Sequence, residues 1–205
     1  MGEMFKSPVG LLRFPRLLVP HSFKGDDQPK YETTLRVYDE ADALPFVTAI
    51  DGWREEAAKQ NGCHFDPTPA VTVEVDEQGR EFWDFRFRVR ATVQKRDGTT
   101  WDRRPAVFYS DGSPLPASVQ MGNGTEAQVA FTPYRWAAGG RAGVTLQPVA
   151  CCVHKLVEYG AGGPDEPEAV EEQARELLMG TSGHVADHVE EVASTPTPNG
   201  SASDF

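Results

Sequence analysis

The 205-residue chain lacks the marks of a secreted, membrane-spanning or disulfide-built protein. It has only three cysteines, an odd number that suits a reducing compartment better than a secreted disulfide scaffold. Its apolar runs are short: Val149 to Val153 falls far below the roughly 20 residues that cross a bilayer. Near the N-terminus, Leu-Leu-Arg-Phe-Pro-Arg-Leu-Leu is broken by arginine and proline and cannot serve as a signal-peptide core. Gly2 suggests myristoylation, but Lys6 stands where that motif needs Ser or Thr. The expectation is a cytoplasmic protein with no membrane partner.

Catalytic signatures are missing as well. Cys63-His64 and Cys151-Cys152 lack the spacing of paired zinc ligands. His184 and His188 are four residues apart, but their segment is rich in Gly and Ser, and position 185 is Val rather than the Glu of a metalloprotease helix. There is no Gly-x-Ser-x-Gly, no P-loop and no dinucleotide fingerprint. The reading is a non-enzyme with no catalytic residue, no metal and no cofactor.

What is present begins with material for a core: 39% apolar residues and 19 glycines bring the chain near the globular average. The net charge of −11 argues at first against a polyanionic partner. Its distribution reverses that argument. Residues 161–205 hold ten acids against the single Arg175, a net of −9, so residues 1–160 are close to neutral at −2. Within them, residues 80–104 carry eight Lys and Arg against four acids. A near-neutral body thus has one basic patch and an acidic C-terminal segment, the kind of tail that competes for, or mimics, a polyanion. The plainer reading of the same charges is a solubilising tail beside a solvated hairpin.

Patterning gives the elements. Residues 9–20 and 31–38 read as strands, and 42–60 as a helix with Phe46, Ala49, Ile50, Trp53 and Ala57 on one face, stopped at Asn61-Gly62. Asp39, Glu40 and Asp42 suit its N-terminus, where acids favour the dipole. Val71 to Val75 alternates as another strand. Glu81 to Gln94 is the clearest: Trp83, Phe85, Phe87, Val89, Ala91 and Val93 face one way, Asp84, Arg86, Arg88, Arg90 and Thr92 the other. Arg96-Asp97-Gly98-Thr99 reads as a hairpin turn with residues 100–109 as the returning partner. Strands over 126–134 and 143–158, joined through Gly139-Gly140, complete a β-rich body with one helix, a small barrel or a sandwich. Asp165 to Met179 reads as a short helix with a narrow apolar stripe, and the Ser-, Thr-, Pro- and Gly-rich residues from Thr181 onward as disordered.

Two constellations carry chemistry. Arg86, Arg88 and Arg90 would stand about 6.6–7 Å apart on one sheet face, close to the phosphate repeat of an extended single strand. Their mutual repulsion is relieved either by a bound anion or by carboxylates on a neighbouring strand. Phe131-Thr-Pro-Tyr-Arg-Trp136 interleaves rings with a cation, as a surface for unpaired bases requires. Tyr134 and Trp136 would share a face if the strand continues through them; the other reading packs both rings into the core.

At these residues the chain resembles the single-stranded DNA-binding proteins of short-tailed (podovirus) bacteriophages that encode their own replisome. The resemblance runs most strongly from Val107 to Gly160. It includes Ser110-Asp111-Gly112, Pro133-Tyr134-Arg135-Trp136 where the family has Pro-Tyr-Lys-Trp, and Val157-Glu158-Tyr159-Gly160. Phe85-Arg86-Phe87-Arg88 resembles a Phe-Lys-Phe-Lys stretch, and Asp204-Phe205 the terminal aromatic after an acidic tail. The resemblance implies an all-β OB-fold Greek-key barrel over 1–160 and an acidic, largely disordered tail over 161–205. It implies sequence-nonspecific coating and protection of single-stranded DNA in phage DNA replication and recombination. Tyr134 and Trp136 would then stack bases, and Arg86, Arg88 and Arg135 would hold phosphates; strand parity adds Arg90. Asp204 and Phe205 would dock the phage DNA polymerase and helicase-primase, and the family's members can dimerise. The tail is sparser here than in the family, since Asp204 is the only acid after Glu191. The competing reading is a β-rich protein–protein adaptor without nucleic-acid binding.

Overall fold

Alternation along one strand organises the structure. In the computed structural model, which describes residues 3–22, 28–65, 70–95 and 97–159, the strand Glu81–Arg90 buries Phe85, Phe87 and Val89 and exposes Arg86, Arg88 and Arg90. In chain order the elements are β1 (Phe5–His21), β2 (Lys30–Val37), α1 (Glu40–Asn61), β3 (His64–Phe65), β4 (Val71–Val75), β5 (Glu81–Arg90), β6 (Thr92–Gln94), β7 (Thr100–Asp102), β8 (Ala106–Tyr109), β9 (Glu126–Ala138) and β10 (Arg141–Lys155).

Five of these strands form a closed ring. β1 pairs with β2, β2 with β5, β10 with β9 and β9 with β1, all antiparallel. The ring closes between β5 and β10 through a parallel bridge, Leu146 opposite Phe87. This mixed five-stranded barrel is an OB-fold, with β4 added outside β5 and β8 paired in parallel with β10.

The barrel interior is aromatic. Phe85, Phe87 and Phe131 are fully buried, each contributing about 1.5–3 kcal/mol by leaving water. Helix α1 inserts Phe46 among them, with ring centroids 4.6 Å from Phe85 and 5.5 Å from Phe131. Trp53, two turns on, lies 4.7 Å from Phe5. The helix starts where its chemistry allows: the Asp39 carboxylate accepts from the Ala41 N–H at 2.8 Å, and Glu40 and Asp42 occupy the first turn. It ends at Gly62, whose left-handed φ of 60° lets its N–H reach the Ala58 carbonyl. No helix among the described residues is long and apolar enough to cross a membrane.

The hairpin expected over 81–109 is corrected by the structure. β5 ends at Arg90, and only Thr100–Asp102 returns to pair with Thr92–Gln94, as a separate two-stranded ribbon. Ala106–Tyr109 instead joins β10. The physical cause lies at residues 102–105: the Asp102 carboxylate accepts from the Arg104 N–H, turning the chain, and Pro105 offers no N–H to continue a ladder. The ribbon is anchored by the Arg103 N–H on the Ala91 carbonyl and by the Tyr31 hydroxyl, which donates to the Asp102 carboxylate at 3.4 Å. All three cysteines are free thiols, and Cys151 is buried while its neighbour Cys152 is half-buried, as alternation requires. The helix expected over 165–179, the acidic tail, and its Asp204 and Phe205 lie outside the described residues.

Candidate nucleic-acid interface

Closing the barrel between β5 and β10 brings the outer faces of these two strands side by side. Phe87 and Leu146 both point inward, so their outward neighbours Arg88 and Arg86 on β5, and Thr145 and Gln147 on β10, share the exterior. Across the other edge of β5, Lys30 stands opposite Arg90, Glu32 opposite Arg88 and Thr34 opposite Arg86. The register thus assembles a basic field from β2 and β5 that no single segment contains.

Over this seam lies a groove of about 740 Å³ lined by Lys30, Arg88, Arg90 and Arg103, with the rings of Trp101 and Tyr134 among its other walls and no acidic residue. Both rings stand open, Trp101 at 56% and Tyr134 at 54% exposure. Trp101 is carried there by the ribbon. Arg103, two residues on, donates to the Gln147 side chain at 2.6 Å and stands 5.8 Å from the Trp101 ring centre. Burial lowers the Arg103 pKa from its ordinary value, with Tyr134 acting in the opposite direction. The guanidinium keeps its charge at any physiological pH.

β9 runs unbroken to Ala138, so Tyr134 and Trp136 do share the outer face. They do so differently. Tyr134 projects into the groove opposite Thr145, whereas Trp136 is half-buried on the backbone of Gly143, its cross-strand partner. Arg135 points the other way: its Nη2 lies 2.8 Å from the Glu56 carboxylate on α1, away from the groove. Of the six residues picked out in the sequence, the structure brings Arg88, Arg90 and Tyr134 to the groove lining, leaves Arg86 and Trp136 on the same exterior outside that lining, and turns Arg135 to Glu56.

Among the described residues, the ladder's close carboxylate contact is at Arg86. Glu32 lies 3.4 Å from Arg86 and 3.8 Å from Arg16, one carboxylate shared by two guanidinium groups. Beyond it, Arg36 and Asp84 form a two-point pair at 2.9 and 2.8 Å, which neutralises that row. Arg88 and Arg90 face the groove, where its lining holds no acid. Among the described residues no three His, Cys, Asp or Glu side chains are grouped to hold a metal ion.

Sequence reasoning missed Trp101, Arg103 and Lys30. Trp101-Asp-Arg-Arg104 shows the same mixture of ring and cation that marked 134–136, and that signal was there to be read. Lys30 and Gln147 gave no signal, because their place depends on register and barrel closure.

Chemically, the groove offers open rings that could stack on bases and fixed cations that could pair with phosphates, Tyr134 carried by the barrel and Trp101 by the ribbon. No family model and no curated protein sequence matches the chain. Solved structures do. The single-stranded DNA-binding protein gp2.5 of bacteriophage T7 superposes with a TM-score of 0.66 over 91% of this chain and 100% of that one, at 19% identity. The single-stranded DNA-binding protein of bacteriophage Enc34, solved in complex with single-stranded DNA, gives a TM-score of 0.54 over 77% and 89% at 15% identity. A C-terminal truncation of the Enc34 protein gives 0.53 over 76% and 87% at 16% identity. The chain has the fold of these phage proteins.

Proposed function

We propose that this protein binds single-stranded DNA without sequence preference, coating and protecting it during phage DNA replication and recombination. One observation carries the proposal: an acid-free groove on the barrel seam in which four cations and two open rings converge. The likeness in fold to proteins named for single-stranded DNA binding supports it. Stacking on Trp101 and Tyr134 would contribute about 1–3 kcal/mol per base and is indifferent to base identity. Arg88, Arg90, Lys30 and Arg103 would track the phosphates, with Arg86 at the ladder's far end. Trp136 extends the ring surface along β9. No step of this mechanism makes or breaks a covalent bond, so the protein acts by binding alone.

The body over 1–160 is assigned this binding. The acidic segment over 161–205 is assigned to partners, with Asp204 and Phe205 docking the phage polymerase and helicase-primase in the host cytoplasm, and homodimers as a further assembly. The near-neutral body makes few phosphate contacts, so affinity will be modest and will fall with salt at about −0.7 in log affinity per phosphate neutralised. Titration with oligothymidine tests the reading. Quenching of tryptophan emission that salt reverses supports it, and silence at low salt would favour the protein–protein adaptor.

A further inference from the structure

The arginine ladder does not end at the groove. Arg86, one outward step beyond Arg88, lines a second depression of about 380 Å³ with Phe14, Arg16, Glu32, Thr33 and Thr34. On β2 the same step leads from Lys30 in the first groove to Glu32 and Thr34 in the second. The two depressions therefore take consecutive positions on one sheet face. Between Arg90 and Arg86 that face extends about 13–14 Å, from four residues of strand rise.

Phe14 is an unexpected residue at its position. The β1–β2 register places Arg13 opposite Thr34 and Arg16 opposite Glu32, so one extra residue is inserted on β1 between them. Such a bulge re-aims a side chain, and its left-handed position ordinarily takes glycine. Here Phe14 adopts a φ of 50°, the one positive φ outside glycine among the described residues. A left-handed conformation costs an L-residue about 1–2 kcal/mol, and Pro15 further disfavours it by pressing its predecessor toward extended backbone.

The strain is held from outside. Asn123 accepts the Phe14 N–H at 2.6 Å, the Leu12 N–H donates to Thr125, and the Gly124 N–H donates to Leu12. The ring obtained in this way takes no part in the barrel's core cluster and is 60% exposed. The Arg13 guanidinium stands 5.8 Å from its centre. Strain that persists without a packing gain marks a functional position.

We infer that Phe14 is a second stacking platform, receiving a base of the same strand at the far end of the ladder from Tyr134 and Trp101. The inference rests on the single-stranded DNA reading above. Glu32 tempers the charge of this end, where Arg16 and Arg86 share its carboxylate, so stacking on Phe14 adds to the hold that Arg86 exerts on a phosphate. A strand must be long enough to run the ladder before Phe14 contributes.

The test compares the full chain with Phe14→Gly and Phe14→Leu on a dimeric and a dodecameric oligothymidine. Glycine relaxes the backbone, and leucine keeps apolar bulk without a π face. Both substitutions should weaken dodecamer binding roughly 5- to 150-fold while the dimer, too short to run the ladder from the larger groove, binds as before. Phe14→Tyr should restore the dodecamer, and the melting temperature of Phe14→Gly should equal or exceed that of the unaltered chain. Dodecamer binding unchanged in Phe14→Gly and Phe14→Leu, or a fall in the melting temperature of Phe14→Gly, overturns the inference. If the unaltered chain binds neither oligonucleotide at low salt, the single-stranded DNA reading itself fails.

Discussion

The indole of Trp136 lies directly on the backbone of Gly143, its partner across the β9–β10 ladder: a Cβ at position 143 would stand 2.6 Å from Cζ2 and 2.9 Å from Cε2. Gly143→Ala must therefore lift the ring or bend the strand. Overpacking of this kind costs about 1–3 kcal/mol. The expected outcome is a lower melting temperature with a shifted tryptophan emission, and an unaltered spectrum would show that the ring is not seated there.

Tyr134 lacks such a seat and stands half-open over the groove. Tyr134→Ala should weaken oligothymidine binding by about 1–3 kcal/mol with little change in melting temperature. Trp136→Ala should lower both affinity and stability, because its ring also covers Gly143. Equal effects of the two substitutions on melting temperature would contradict this division.

The salt dependence of binding should sort the arginines. Each phosphate neutralised contributes a slope of about −0.7 in log affinity against log salt for a single strand. Arg88→Ala and Arg90→Ala, in the acid-free groove, should each reduce the slope by about that amount. Arg135→Ala should leave it unchanged, since that guanidinium pairs with Glu56 beside α1. Titrations at several salt concentrations measure all three.

Cys151 offers a check on the barrel itself. Burial pushes its thiol up from 9.0 to about 12, with Cys152 adding to the shift. The folded state thus holds the proton over a range in which the unfolded chain releases it. Stability from this group is unaffected below pH 9 and falls as pH rises from there toward about 12. Thermal melts across that range should show the decline, and Cys151→Ser should flatten it. Alkylation of the native protein at pH 8 should spare Cys151.

The extent to which the sequence anticipated this structure follows from the range of each signal. Period-two alternation along 83–90 is local, and it located the buried and exposed faces of that part of β5; at the start of the strand both Phe82 and Trp83 are buried. The limits of α1 were legible because Asp39 and Gly62 act on their own neighbours. The division of 100–109 between two sheets was not legible, because apolar patterning does not say which strand a segment will join. The same holds at the site. Tyr134 and the ladder were visible as motifs, but Lys30 enters only through β2–β5 register and Trp101 through a ribbon folded over the seam. Arg135 illustrates the opposite failing: it belongs to the motif, yet strand parity turns it toward Glu56.

The parallel bridge of Leu146 to Phe87 is where the ring of strands is completed, and the groove straddles that same join. A polynucleotide lying there would touch β5 through Arg88 and Arg90 and β10 through Thr145, lacing together two strands that are distant in the chain. Occupancy would then be felt as mechanical reinforcement: amide protons along the suture would exchange more slowly, and the cylinder would resist opening just where its hoop is fastened.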